Sequence, residues 1–165
     1  MNEIDLGPVS VALATVPTGG GKVPSNLPEY RSYGDETDTA LRDLTKPAIL
    51  PQGLAFLDAT LFRSPIQMAI WTYADQATGR SVTLARTPLS GLKQAGEQKP
   101  IVFVPGQSLQ EAEVGGARGA KVVVSEDPLW RGSRTSLVWL KGDSVLQITG
   151  RGVTEEELAE TAGSV

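Results

Sequence analysis

No cysteine and no histidine occur among the 165 residues of the chain. Without cysteine there is no disulfide and no thiolate nucleophile. Without histidine there is no imidazole base, so Ser–His–acid and Cys–His arrangements are excluded. Together the two absences remove nearly all structural zinc chemistry, and no metal and no other cofactor is expected. Missing cysteine fits an exported protein that avoids stray oxidation, and it fits many cytosolic proteins as well. No apolar run reaches the roughly 18 residues of a candidate membrane span, and no basic-then-apolar leader opens the chain. An excess of positive charge is also missing: 15 basic residues face 19 acidic ones, a net charge of −4. That balance gives no electrostatic reason to expect nucleic acid as a partner.

What is present is a moderately apolar, β-prone chain. Apolar content of 40% and charged content of 21% argue for a folded core rather than global disorder. The length suits one domain with an appended segment. Residues 1–34 carry that segment's signs: Gly7-Pro8, Pro17, Gly19-Gly20-Gly21, Pro24 and Pro28 surround one short strand candidate, Val9 to Ala14. Glycine and proline at this density read as a linker or an arm that lies on something else. Gly19-Gly20-Gly21-Lys22 lacks the spacing of a phosphate loop, and Val23 stands where such a loop carries Ser or Thr. The folded domain is therefore expected over residues 35–165.

The most strongly specified stretch is Arg134 to Gly163. Ser136 to Leu140 and Val145 to Thr149 flank Gly142-Asp143, which predicts a hairpin with a tight turn. Pairing Leu137 with Ile148 and Trp139 with Leu146 puts four large apolar side chains on one face, and a one-residue slip scatters them. In Val153-Thr154-Glu155-Glu156-Glu157-Leu158, Thr154 is placed to cap a helix, Glu157 to close a capping box, and Val153 and Leu158 to form a hydrophobic staple. Upstream, Asp35 to Thr45 carries Ala40, Leu41 and Leu44 at helical spacing and ends at Pro47.

Between the two helices the pattern is β. Leu54 to Phe62 reads as a strand. Ile66 to Tyr73 and Arg80 to Thr87 read as a hairpin whose register stays open between Ile70 with Leu84 and Trp71 with Val82. Ile101 to Val104 is a short run between prolines. Gln107 to Val114 and Lys121 to Ser125 flank a turn region over Gly115 to Ala120. Many short strands with frequent turns predict an antiparallel meander, with a helix at each end of the β region to cover it: an α+β domain.

The order of these features resembles a family. Leu50-Pro51-Gln52-Gly53, Val114-Gly115-Gly116-Ala117-Arg118-Gly119, Leu137-Val138-Trp139, Leu146-Gln147-Ile148-Thr149-Gly150 and Val153-Thr154-Glu155-Glu156-Glu157-Leu158 together resemble a bacterial domain of unknown function. That domain is found in extracytoplasmic parts of anti-sigma factors and in related sporulation and envelope lipoproteins. The resemblance spans residues 36–162. It implies a curved antiparallel sheet, related in shape to periplasmic lipoprotein carriers that cradle acyl chains. It also implies an extracytoplasmic, membrane-anchored setting in which the membrane is met only through a segment absent from this chain. Cytosolic residence is the alternative.

The residues open to a functional reading are few. Trp71 and Tyr73 either line a groove on the sheet for an apolar ligand or partner strand, or pack in the core. Trp130 lies in the loop-like Asp127-Pro128-Leu129-Trp130-Arg131-Gly132 and with Arg131 is a candidate interface anchor. Glu111 and Glu113 alternate by two and would share one strand face. With Glu126 and Asp127 they are the carboxylates to consider for a cation or for acid–base work, and a solvated face is the plainer reading. Arg118, Lys121, Arg131 and Arg134 form either a basic rim or a scattered population. No nucleophile is paired with a base at recognisable spacing. The expected function is a non-catalytic sensory or regulatory domain that binds a protein partner or an apolar ligand. A lipid or lipoprotein carrier-like protein is the runner-up, and an enzyme using carboxylates alone comes third.

Overall fold

The computed structural model describes residues 3–14, 29–33, 46–64, 68–92, 99–125 and 132–165. The fold is mostly antiparallel β-sheet with one helix near the C-terminus, and the sheets do not close. Eleven strands are found among the described residues: β1 (Glu3–Asp5), β2 (Ser10–Ala14), β3 (Glu29–Tyr33), β4 (Ala55–Ser64), β5 (Met68–Ala74), β6 (Ser81–Pro88), β7 (Ile101–Pro105), β8 (Ser108–Val114), β9 (Ala117–Val124), β10 (Arg134–Lys141) and β11 (Ser144–Arg151). A single helical turn, α1 (Leu89–Leu92), follows β6, and α2 (Glu155–Gly163) is the C-terminal helix. The helix expected over Asp35 to Thr45 lies outside the described residues.

The larger sheet has eight strands in the order β3-β4-β5-β6-β11-β10-β9-β8. It is two four-stranded meanders joined where β6 pairs with β11, and that junction is its one pairing between strands distant in sequence. The β10–β11 hairpin has the expected register, with Leu137 opposite Ile148 and Trp139 opposite Leu146. Gly142, at φ 61°, makes the two-residue turn possible.

Two other expectations are corrected. In the β5–β6 hairpin Trp71 stands opposite Leu84 and Tyr73 opposite Val82, which is neither of the two registers drawn from the sequence. The turn decides it. Asp75 N–H donates to Arg80 O at 2.9 Å and Gly79 N–H to Asp75 O at 2.7 Å, so Asp75 and Arg80 close a four-residue loop. The turn after β8 is also only Gly115-Gly116, both at positive φ, and β9 already begins at Ala117. Gly119 and Ala120 read as turn residues but are strand residues kept small by packing. A Cβ on Gly119 would lie 2.6 Å from the Val138 carbonyl oxygen.

One face of the large sheet carries the main core, including Trp71, Leu84, Leu137, Trp139, Leu146, Ile148, Leu158 and Ala162. Helix α2 packs there. Thr154 caps it as expected: Glu157 N–H donates to Thr154 Oγ1 at 3.1 Å and Thr154 N–H donates to Glu157 Oε1 at 3.0 Å. Val153 and Leu158 meet over Gly150, whose absent side chain leaves room for both. Thr154→Ala is expected to lower the unfolding free energy by about 1 kcal/mol, read as a lower denaturant midpoint with an unchanged slope. An unchanged midpoint would deny Thr154 the cap.

Arg80 ties this corner together in a way the sequence did not announce. Its guanidinium donates to Gly152 O at 3.0 Å, Gln52 O at 3.2 Å and Glu157 Oε2 at 2.9 Å. The Thr154 N–H, helped by the Arg80 guanidinium, holds the Glu157 carboxyl below its ordinary value of 4.5. A carboxyl with a depressed folded pKa adds stability above its unfolded pKa. That contribution is lost as pH falls from about the unfolded value through the folded one. Glu157→Gln is therefore expected to lower the thermal midpoint at pH 7, with the gap to the parent protein narrowing below pH 4.5. A gap that stays constant down to pH 3 would contradict this linkage.

The second sheet was not foreseen. β1, β2 and β7 form it, in the order β1-β2-β7, with β2 and β7 parallel. It covers the other face of the large sheet at the β8–β10 end. Ile4, Val9, Val11 and Val104 pack there against Leu109, Ala120, Val122 and Val138. Thus β2 and β3, inside the segment read as an arm, pair with strands of residues 35–165, and β1 pairs with β2.

Candidate functional site

The structure places the four residues singled out from the sequence in two groups. Trp71 and Tyr73 are interior, 1% and 5% exposed. They project from β5 into the main core, where the Tyr73 ring meets Phe56 edge-on at 6.1 Å. Burial pushes the Tyr73 hydroxyl pKa upward. Neither side chain offers surface to a partner, so both have the packing role set beside the groove role. Trp71 Nε1 is buried and has no hydrogen-bond partner among the described residues. Trp130 and Arg131 lie outside the described residues, as do Glu126 and Asp127.

Glu111 and Glu113 do share a solvated face of β8. They line an open depression with Ala112, Gly116 and Arg118. The Arg118 guanidinium is engaged there by the Glu111 carboxylate and by Asp5 O. The Asp5 carboxyl, held below its ordinary value chiefly by Lys99 and then by the Gly7 N–H, takes the Lys99 ammonium at 2.6 Å. The Arg118 contact fastens β1 to the large sheet, and the Lys99 pair ties it to the segment that enters β7. Among the described residues no three carboxylates converge as a metal site would require. Nor do the described basic residues gather. Arg118 turns toward β1, Lys121 reaches Glu155 of α2 at 3.2 Å on the opposite face, and Arg134 reaches Pro105 O at 3.3 Å.

A cleft of about 160 Å³ runs between α2 and strands β8 to β10, lined by residues that include Val114, Trp139, Lys141, Ala162 and Val165. It is about half the lower end of the roughly 300–1,000 Å³ usual for small-molecule pockets, and the Lys141 ammonium lies across it on Val165 O.

The feature that stands out is β7. Among the described residues the exposed large apolar side chains are Ile49, Leu57, Ile101 and Phe103, and two of these share one strand. Prolines at 100 and 105 bound that strand, and its β-branched and aromatic content suits an extended chain. Alternation sends Val104 inward, 1% exposed, and Ile101 and Phe103 outward, 42% and 61% exposed. Among the described strands β7 is also an edge of its sheet. Ser10 N–H donates to Pro100 O at 3.1 Å, which sets the phase of the parallel ladder. Val102 and Val104 turn their backbone groups to β2, and Ile101 and Phe103 turn theirs to the open edge.

The other edges carry charge. β1 has Glu3 and Asp5, and β8 has Glu111 and Glu113, all exposed; the sequence of β3, the remaining edge, holds Glu29 and Arg31. Charge on an edge strand discourages added strands, whereas residues 100–107 contain no charged side chain. The short apolar run Ile101–Val104 was legible in the sequence. Which side of the strand would be left uncovered was not. No family model, no curated protein and no solved structure matches the chain.

Proposed function

We propose that this chain is a non-catalytic binding domain that takes a protein partner at the outer face and open edge of β7. The observation that carries this reading is the coincidence, on one uncharged edge, of exposed Ile101 and Phe103 with backbone groups that face away from β2. Exposed aromatics beside an open strand edge suit recognition of an extended segment, with main-chain bonds giving affinity and side chains giving specificity. The extracytoplasmic regulatory setting, and a curved sheet with a helix at residues 35–45 as well as at the C-terminus, belong to the same proposal and rest on the resemblance. The carrier-like alternative calls for an apolar cavity deep enough for an acyl chain. The main core face is instead filled by Trp71, Leu84, Leu137 and Trp139, which favours the partner reading.

The test is photo-crosslinking in the source cell, with p-benzoylphenylalanine placed at Phe103 or, as a control, at Glu111. A discrete protein adduct is expected at position 103 and none at 111. Lipid adducts alone would favour the carrier, and no adduct at either position would remove the interface.

A further inference from the structure

Resting on the reading of β7 as an interface, we propose that its partner is β7 of a second copy of this chain, paired antiparallel about a twofold axis through Val102. Charge favours this edge over β1 and β8 for self-association. Two copies of a chain with net charge −4 repel, and they meet most readily where neither brings a carboxylate. Antiparallel self-pairing of β1 would set Glu3 against Asp5, and self-pairing of β8 would set Glu111 against Glu113. Like charges directly opposite are destabilising. Self-pairing of β7 instead sets Ile101 against Phe103 twice, on the uncharged edge.

The hydrogen-bonding phase agrees. In an antiparallel ladder the residues of a bonded pair must both turn their backbone groups toward the partner. Ile101 and Phe103 both do, as the Ser10 to Pro100 bond requires. With the axis at Val102 they bond each other's copies through four N–H···O contacts, and Val102 falls at the non-bonded pair. Pro105 has no N–H, and its carbonyl already accepts from Arg134, so the ladder ends there. The resulting six-stranded sheet would carry both Ile–Phe pairs on its outer face. An isologous edge of this kind closes on itself and gives a dimer rather than a fibre. Two short strands and four side chains bury less than the roughly 1,200 Å² of a stable interface, so association is expected to be weak, with a Kd of about 0.1 mM.

The experiment is sedimentation velocity of the full chain from about 10 µM to about 1 mM, with amide exchange followed by NMR across a range of the same order. The expected result is a monomer–dimer equilibrium in which the Ile101 and Phe103 amides gain protection with concentration, while those of Val102 and Val104 are protected throughout. Phe103→Asp is expected to weaken association at least tenfold. So is Phe103→Pro, which removes an outward N–H and spares the bonds to β2. A single unchanged monomer at the highest concentration overturns the proposal, as does a dimer that both variants leave intact. A monomer in solution together with a foreign protein adduct at position 103 in the cell would sink the self-pairing and keep the binding function. A monomer with no adduct would remove both.

Discussion

Trp139→Ala is expected to leave the domain unfolded or barely folded. Trp139 is 3% exposed in β10. It stands between Leu146 on one side and Gly119 on the other, and its far side lines the cleft beneath α2 with Ala162 and Val165. Gly119 cannot move in to fill the void, because its backbone is fixed by the β9–β10 ladder. Truncating a buried Trp costs about 3–5 kcal/mol, a large share of the roughly 5–15 kcal/mol that holds a domain together. The void would also join the existing cleft and loosen the helix above it. Denaturant titration followed by far-UV circular dichroism is the measurement. A loss below about 1 kcal/mol, the range of an exposed site, would show that Trp139 is not a core residue.

Trp71→Ala should be comparably damaging, which separates the packing role of this residue from the groove role. Trp71 is among the largest fully buried side chains, and on β5 it is flanked by Ala59 and Leu84. Small Ala59 leaves the indole its space and cannot replace it, so truncation is again expected to cost about 3–5 kcal/mol. Trp71→Phe carries a different expectation. The buried indole N–H has no partner among the described residues, and a buried unsatisfied donor costs about 1–3 kcal/mol. Phenylalanine removes that donor, offsetting part of the lost packing, so a net change of about 1 kcal/mol or less is expected. Paired denaturant titrations of the two variants decide. Equal, large losses would mean that the indole N–H has a partner after all. Small losses from both would place the side chain at a surface, where a groove role becomes tenable.

The fold was legible wherever local chemistry decides it. A two-residue turn at Gly142-Asp143 leaves the β10–β11 hairpin one register that keeps Leu137, Trp139, Leu146 and Ile148 on one face, and that register is found. The cap at Thr154 and the acid three residues later specify the start of α2 in the same local way. Legibility failed where the turn alone was ambiguous. Apolar residues on both faces of β5 made neighbouring registers equally sensible, until the hydrogen bonds of Asp75 chose one.

It failed also where packing, not propensity, set the residue. Gly119 and Ala120 look like a turn because the sequence cannot show Trp139 and Val138 on the strand beside them. The candidate site was least legible of all. Trp71 and Tyr73 were ambiguous because an alternating aromatic pair looks the same whether the face it occupies is covered or open.

Composition alone excluded thiol and imidazole chemistry, and the spacing of turns, caps and alternating apolar residues alone determined most strands, the C-terminal helix and the last hairpin. These are contacts between residues close in sequence, where loop closure costs little and turn geometry leaves few choices. Only the tertiary structure decided that β2 runs parallel to β7 across nearly ninety residues, that β6 meets β11, and that Ile101 and Phe103 remain outside while Val104 goes in. No turn links those partners. Their pairing follows from which apolar faces are left to cover one another once the local pieces have formed.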